Sequence, residues 1–118
     1  MTIQTNSFLN VSDNSGAKEI KCIRSSNKVY LGSPILGSIQ KVIPNKKLKT
    51  GEIVPGIIVR LKKEQKRKDG TYINFSTNDV VLLNNKKLPI GSRIFGPVSR
   101  ELRNKKYMKA IAIAQGII

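Results

Sequence analysis

Histidine and tryptophan are absent from this 118-residue sequence, and Cys22 is its only cysteine. A lone cysteine cannot form an intramolecular disulfide. Without histidine, the chain has no His-ligated zinc site and no Cys–His or Ser–His nucleophilic pair. Cys22 alternates with Ile20 in an apolar pattern, so we interpret it as a small buried residue of the core.

Acidic residues are also scarce. Seven Asp and Glu stand against 22 Lys and Arg, which gives a net charge of +15. A surface this positive repels itself unless a polyanion neutralises it. Nucleic acid is the favoured polyanion, because Lys and Arg placed on phosphates release condensed counterions. A membrane surface is the alternative, but it requires a basic amphipathic helix or a lipidation signal, and the sequence has neither.

Long apolar runs are missing, and none approaches the roughly 18 residues of a membrane-spanning helix. The first six residues carry no basic stretch and no apolar segment typical of an export or import signal. We therefore expect the protein to act in the compartment in which it is made. We also expect residues 1–118 to form a single domain, since compact domains centre on roughly 100–150 residues.

Short runs rich in Ile, Val and Leu, separated by Gly, Pro, Asn and Asp, predict a mainly β fold, a small barrel or sandwich. The run Ile53–Leu61 is nearly all apolar in its second half, which predicts a strand buried on both sides. Asp69–Gly70 predicts a tight hairpin turn. The predicted strands are Phe8–Val11, Lys18–Arg24, Pro34–Ile43, Ile53–Leu61, Thr71–Phe75 and Val80–Leu83.

Helical patterns are confined to the end of the chain. Pro97 is predicted to open a short helix within a helical segment of about residues 97–109. In such a helix Val98 and Leu102 share one face. The run Ala110–Ala114 fits either a strand or a second short helix, and its periodicity does not decide between them.

The positive charge is concentrated in two clusters. Residues 41–68 hold ten basic and two acidic residues, and residues 93–109 hold six basic and one acidic residue. The first cluster includes a projecting β-ribbon at about residues 60–75, and we expect its cations to be held against phosphates rather than merely solvated. The residues predicted to bind RNA are Lys46, Lys47, Lys49, Arg60, Lys62, Lys63, Lys66, Arg67, Lys68, Arg93, Arg100, Arg103, Lys105 and Lys106.

The few aromatic residues are scattered along the chain and do not form a base-stacking platform. We expect Phe75 and Phe95 to pack in the core, which leaves backbone and shape reading of folded RNA as the mode of binding. A free RNA chaperone or translation factor built on an oligonucleotide-binding-like barrel is the alternative. That function would require exposed aromatic residues on one sheet face.

Catalytic chemistry has little support. An enzyme acting on RNA would need a carboxylate–metal cluster, and the only candidate ligands are Asp69 and Asp79, which we interpret as solvated turn residues. We therefore predict no catalytic residue, no metal and no cofactor.

Several ordered segments resemble the bacterial-type large-subunit ribosomal protein L-fourteen family over nearly the whole chain. They are Leu9–Ala17, Gly56–Val59, Asp69–Gly70, Phe75, Asn78, Val81–Leu82, Gly91–Val98 and Arg100–Arg103. The resemblance implies a five-stranded β-barrel with a projecting β-ribbon and short C-terminal helices. It also implies a structural role in the large subunit, with large-subunit rRNA bound by the basic loops and other large-subunit proteins as neighbours.

The same resemblance implies a place at the subunit interface, where the family helps to form a bridge to small-subunit rRNA. It further implies that a ribosomal silencing factor docks near Ser92 and Arg93. The chain departs from the family pattern at Ser33–Pro34 and in a shortened loop after Arg24.

Composition points to an origin. Lysine, isoleucine and asparagine together make up more than a third of the chain, and these residues have A/T-rich codons. We therefore expect a mitochondrial ribosome and an organelle-encoded gene, with a plastid or a bacterial cytoplasm as alternatives.

Overall fold

The computed structural model describes residues 7–25, 30–43, 48–104 and 107–118, and for Ser25, Arg103, Asn104 and Met108 it describes the backbone alone. The elements in chain order are β1 (Phe8–Val11), β2 (Ala17–Ser25), β3 (Pro34–Val42), β4 (Ile53–Arg60), β5 (Gln65–Lys66), β6 (Tyr72–Ile73), β7 (Asp79–Leu82), β8 (Ile94–Val98), α1 (Glu101–Asn104), α2 (Met108–Ile113) and β9 (Ala114–Ile117).

Five of these strands form a closed barrel in the order β1-β2-β3-β4-β7. Neighbouring strands are antiparallel except for β1 and β7, which close the barrel in parallel. Closure leaves no unpaired edge in this sheet. The predicted mainly β fold with a five-stranded barrel, a ribbon and short C-terminal helices is confirmed.

The barrel interior is aliphatic. Ile20 pairs with Ile39, and Ile58 pairs with Val80, so strand alternation aims all four side chains inward, where they are fully buried. Each contributes roughly 1.5–3 kcal/mol of hydrophobic stabilisation. Cys22 is buried in the same core, as predicted.

A second core covers one outer side of the barrel. Ile57, Val59 and Val81 point away from the interior and pack with Val98 and Leu102 of the C-terminal segment. Strand β7 is therefore buried on both faces, and so is β4 from Gly56 to Val59, which confirms the prediction for the second half of Ile53–Leu61. Ile53, at the start of the run, is exposed. This layer fixes the described part of the C-terminal segment on the barrel.

The prediction of a helix opening at Pro97 is wrong. Pro97 lies in β8 and pairs with Gly116 in a two-stranded parallel sheet with β9, and the helix begins only at Glu101. The preceding Gly96 has φ +78°, a conformation in which helix cannot propagate. Val98 and Leu102 do share a buried face, but one belongs to a strand and the other to a helix. The predicted segment of residues 97–109 is thus only partly helical.

The run Ala110–Ala114 combines both alternatives left open by its sequence. It is helical through Ile113 in α2, and Ala114 begins β9.

The hairpin at Asp69–Gly70 is confirmed. Strands β5 and β6 pair over two residues each, and Arg67 N donates to the carbonyl oxygen of Thr71 at 2.8 Å. Oδ1 of Asp69 accepts hydrogen bonds from the backbone amide and hydroxyl of Thr71, at 3.0 and 2.6 Å. These bonds lower the pKa of Asp69, and Gly70 takes φ +90°.

Candidate nucleic-acid interface

The basic ribbon presents four exposed lysines, Lys62, Lys63, Lys66 and Lys68. Its base is fastened to the barrel by short bonds. The backbone amide of Lys62 donates to Oδ1 of Asn78 at 2.9 Å, and Phe75 N donates to the carbonyl oxygen of Leu61 at 2.8 Å. The cations therefore extend from a fixed base, and Glu64 is the only acidic side chain among residues 60–68.

Arg67 differs from its lysine neighbours because its side chain is only 11% exposed. Its Nε lies 2.7 Å from Oε1 of Glu101, and its Nη2 donates to the main-chain oxygen of Ile118 at 2.6 Å. The guanidinium group is thus engaged within the protein. In this position the guanidinium group is not available for the predicted contact with RNA.

Arg60 is engaged in the same way. Its Nε lies 2.6 Å from Oδ2 of Asp79, and its Nη1 donates to the carbonyl oxygen of Pro97 at 3.3 Å. The two charged side chains are 14% and 7% exposed, so this is a nearly buried ion pair between the neighbouring barrel strands β4 and β7. The bond to Pro97 connects the pair to β8. Both arginines hold elements together, a role that sequence alone did not suggest.

The interpretation of Asp79 as a solvated turn residue is wrong. Asp79 is buried in β7, paired with Arg60, and accepts a hydrogen bond from Thr77 Oγ1 at 2.7 Å. Asp69 does lie in an exposed turn, as expected. Within the described part of the chain, no three Cys, Asp or Glu residues are grouped so that they could hold a metal ion.

The remaining predicted cations divide into two groups. Lys49, Arg93 and Arg100 are exposed. Lys46, Lys47, Lys105 and Lys106 lie outside the described residues, as does the side chain of Arg103.

The two basic clusters, separate in sequence, adjoin in space. The ribbon reaches the start of α1 through Arg67 and Glu101, and Nη2 of Arg100 lies 3.7 Å from Oδ2 of Asp69 at the ribbon turn. Among the described cations, Arg100 of the second cluster therefore adjoins the ribbon of the first.

The loop that carries Ser92 and Arg93 is held by Asn14. Oδ1 of Asn14 accepts from the amides of Ser92 and Arg93, and its Nδ2 donates to Ser92 Oγ at 2.9 Å. A Cβ on Gly91 would lie 2.5 Å from the same Oδ1, so only glycine permits this approach. The Arg93 guanidinium lies 5.8 Å from the centre of the Phe95 ring, within cation–π distance.

Phe95 is 46% exposed, so its predicted place in the core is wrong. It belongs to the short β8–β9 sheet, one face of which lies toward solvent. Phe75, in contrast, packs against the barrel core as expected.

Asp13, beside Asn14, joins three segments. Its Oδ1 accepts from Ser15 Oγ at 2.6 Å, its Oδ2 accepts from the amide of Leu82 at 3.1 Å, and its backbone bridges to Ile94. Burial raises the pKa of this carboxyl above its ordinary value, although the hydrogen bonds from Ser15 and Leu82 act in the opposite direction.

Sequence reasoning missed the cations Lys86 and Lys87, which lie near Lys109 of the second basic cluster. The first two project from a turn in which Oδ1 of Asn84 accepts from the amides of Lys86 and Leu88. Lys87 and Lys109 line one cleft of about 240 Å³, together with Tyr107. The adjacent pair Lys86–Lys87 was a visible signal, but its proximity to Lys109 depends on the tertiary fold.

None of the described helices is both long enough and apolar enough to cross a membrane. Comparison with protein families gives a match to the model described as ribosomal protein L14p/L23e over residues 2–118. The match includes the barrel, the ribbon and the C-terminal segment. This family has a structural rather than a catalytic role, in association with rRNA and ribosomal proteins. The chain therefore belongs to the ribosomal protein L14p/L23e family and is a structural protein of the large ribosomal subunit.

Proposed function

We propose that this protein binds large-subunit rRNA through its basic ribbon and the adjoining cations of the C-terminal segment, and that it does so without catalysing a reaction. The observation that carries the proposal is the set of four exposed ribbon lysines, Lys62, Lys63, Lys66 and Lys68, on a hairpin fastened to a closed barrel. Each lysine placed on a phosphate releases a counterion, and a fixed base reduces the entropy that binding must overcome.

The proposal also includes Lys49, Arg93 and Arg100, because each is exposed, and Arg100 adjoins the ribbon turn. Arginine suits bidentate phosphate contacts where lysine acts as a point charge. Lys46, Lys47, Arg103, Lys105 and Lys106 are proposed on charge and sequence position alone.

Sedimentation of ribosomes tests the proposal. In one variant the four ribbon lysines are replaced by alanine, and in a matched control Lys18, Lys21, Arg24 and Lys41 on β2 and β3 are replaced instead. Both variants lose four positive charges. We expect the ribbon variant to be depleted from large subunits at moderate salt and the control to be retained. Full occupancy by the ribbon variant would contradict the proposal.

We further propose that the Ser92–Arg93 loop contacts a protein partner of the silencing-factor type, and that the protein contributes to a bridge with small-subunit rRNA. Support for the first comes from the loop's fixed geometry, since Asn14 holds both backbone amides and leaves the side chain of Arg93 exposed. In an Arg93→Ala variant, co-purification of such a factor should be lost when it is measured per large subunit that contains the protein, so that any weaker binding to rRNA is accounted for. Equal co-purification would contradict the first proposal. Cross-linking of intact ribosomes tests the proposed bridge, and it should join this surface to small-subunit rRNA.

The ribosome is proposed to be mitochondrial, on the abundance of residues with A/T-rich codons. Peptide mass spectrometry of ribosomes from purified mitochondria should detect the chain, and detection only in plastid or cytoplasmic ribosomes would contradict this assignment.

A further inference from the structure

We infer that Glu101 is a positioning residue for RNA binding. Through Arg67 it holds the basic ribbon in the conformation that presents the ribbon lysines, although its own charge repels phosphate. The inference rests on the proposed binding of rRNA by the ribbon.

Arg67 and Glu101 form a bidentate ion pair. Nε and Nη2 of Arg67 face Oε1 and Oε2 of Glu101 at 2.7 and 3.4 Å, and the two side chains are 11% and 27% exposed. Nη2 also donates to the main-chain oxygen of Ile118 at 2.6 Å. Paired nitrogens and oxygens fix orientation as well as distance. The pair therefore constrains the angle of the ribbon and not only its separation from α1.

Arg67 occupies a place in the ribbon where such a constraint matters. It follows β5 directly and lies between Lys66 and Lys68, whose ammonium groups take part in none of the hydrogen bonds or ion pairs found among the described residues. A two-stranded ribbon with two paired residues per strand has little stability of its own. Fixing Arg67 therefore fixes the two lysines beside it.

The partners of Arg67 are themselves anchored to the rest of the protein. Glu101 precedes Leu102, which is fully buried in the second core, and Ile118 N donates to the carbonyl oxygen of Val98 at 2.9 Å. The ion pair between Arg100 and Asp69 also links the two segments, but both side chains are more than half exposed, so it contributes little. The Arg67–Glu101 pair is therefore the main ion pair between the ribbon and α1.

If Glu101 positions the ribbon, its replacement should weaken RNA binding, whereas simple electrostatics predicts stronger binding. Replacing an acidic residue of a basic protein should strengthen binding to any polyanion. Glu64 provides the matched control, because it lies on the same ribbon, is exposed, and its carboxylate takes part in none of the bonds among the described residues. Glu64→Gln and Glu101→Gln change the net charge by the same amount.

The experiment measures binding of both variants and the unaltered chain to a large-subunit rRNA transcript and to oligouridine. For Glu64→Gln we expect unchanged or slightly tighter binding to both. For Glu101→Gln we expect rRNA binding weaker by about five- to tenfold, the factor expected when binding must order roughly one more residue. Oligouridine, which adapts to any arrangement of cations, should bind Glu101→Gln no more weakly than the unaltered chain.

Hydrogen exchange supplies a readout that separates positioning from folding. In Glu101→Gln the Arg67 amide, bonded to Thr71, should exchange faster, while the Ile39 amide, bonded to Glu52 in the barrel, should stay protected. Glu101→Asp keeps the charge but withdraws the carboxylate by one methylene, and it should weaken rRNA binding in the same direction.

The outcomes are distinct. Glu101→Gln behaving like Glu64→Gln on rRNA would overturn the positioning role and leave the proposed function intact. Loss of barrel protection in Glu101→Gln would assign Glu101 a folding role and overturn the inference as well. An unaltered chain that binds the rRNA transcript no better than oligouridine would overturn the proposed function itself.

Discussion

Oδ1 of Asn14 accepts hydrogen bonds from the backbone amides of both Ser92 and Arg93, at 2.8 and 3.1 Å, across 78 and 79 positions of sequence. One side chain in the first turn of the barrel thus shapes a loop near the other end of the chain. Since Nδ2 of Asn14 also donates to Ser92 Oγ and its backbone amide donates to the carbonyl oxygen of Arg93, Asn14 makes four hydrogen bonds to the loop.

The first prediction concerns this contact. Asn14→Ala should lower the free energy of unfolding by about 0.5–1.5 kcal/mol, because two exposed backbone amides exchange their protein acceptor for water. The exposed Asn10 of β1 supplies the control, and Asn10→Ala should cost less than about 0.5 kcal/mol. Urea denaturation measures both, and equal effects would show that the Asn14 contact contributes nothing specific.

A second prediction concerns the Arg60–Asp79 pair. Arg60→Ala should lower the free energy of unfolding by about 3–5 kcal/mol, because it leaves a nearly buried carboxylate without its partner. The pair Lys41–Glu19 offers a contrast, since its charged atoms are 4.0 Å apart and Lys41 is 68% exposed. Lys41→Ala should cost less than about 1 kcal/mol. Urea denaturation that gives both variants the same loss would contradict the structural role assigned to Arg60.

A third prediction follows from the two aspartates with opposite pKa shifts. Burial raises the pKa of Asp13 above 3.8, and hydrogen bonds from Thr71 lower that of Asp69 below 3.8. Carboxyl carbon shifts followed by NMR should therefore show Asp69 titrating first as pH rises, with Asp13 titrating later.

The contributions of these two aspartates to stability also change with pH in opposite directions. Below pH 3.8 the contribution of Asp13 is fully present, and it is lost as pH rises through the folded-state pKa, because the folded protein holds the proton more tightly. Asp69 contributes stability above pH 3.8 that is lost as pH falls. In urea denaturation the stability of the unaltered chain, measured relative to Asp13→Asn, should fall as pH rises from 3.8. A relative rise would contradict the raised pKa.

The barrel could be predicted from sequence because strand alternation and turn residues are local signals. Phe8–Val11 was predicted to the residue, and the apolar second half of Ile53–Leu61 is buried on both sides as predicted. The helix at Pro97 failed because proline at a first helical turn and proline in a short parallel strand give the same local pattern. Only the pairing of Pro97 with Gly116 distinguishes them.

The sequence predicted where the positive charge of the candidate site is concentrated, but not how its side chains are arranged. The sequence shows where cations are dense, and the exposed Lys62, Lys63, Lys66 and Lys68 follow from that density. It does not show which cations have internal partners, because Arg60 meets Asp79 on the neighbouring strand β7 and Arg67 meets Glu101 across 34 positions. The approach of Lys87 to Lys109 is likewise a product of the fold.

The central claim is that the ribbon lysines bind rRNA phosphates, and the salt dependence of binding tests it most directly. Affinity for a large-subunit rRNA transcript, plotted as log K against log salt, should fall steeply for the unaltered chain. Replacing Lys62, Lys63, Lys66 and Lys68 by alanine should make that slope shallower by roughly three to four, close to one for each phosphate that is no longer neutralised. An unchanged slope would contradict the account.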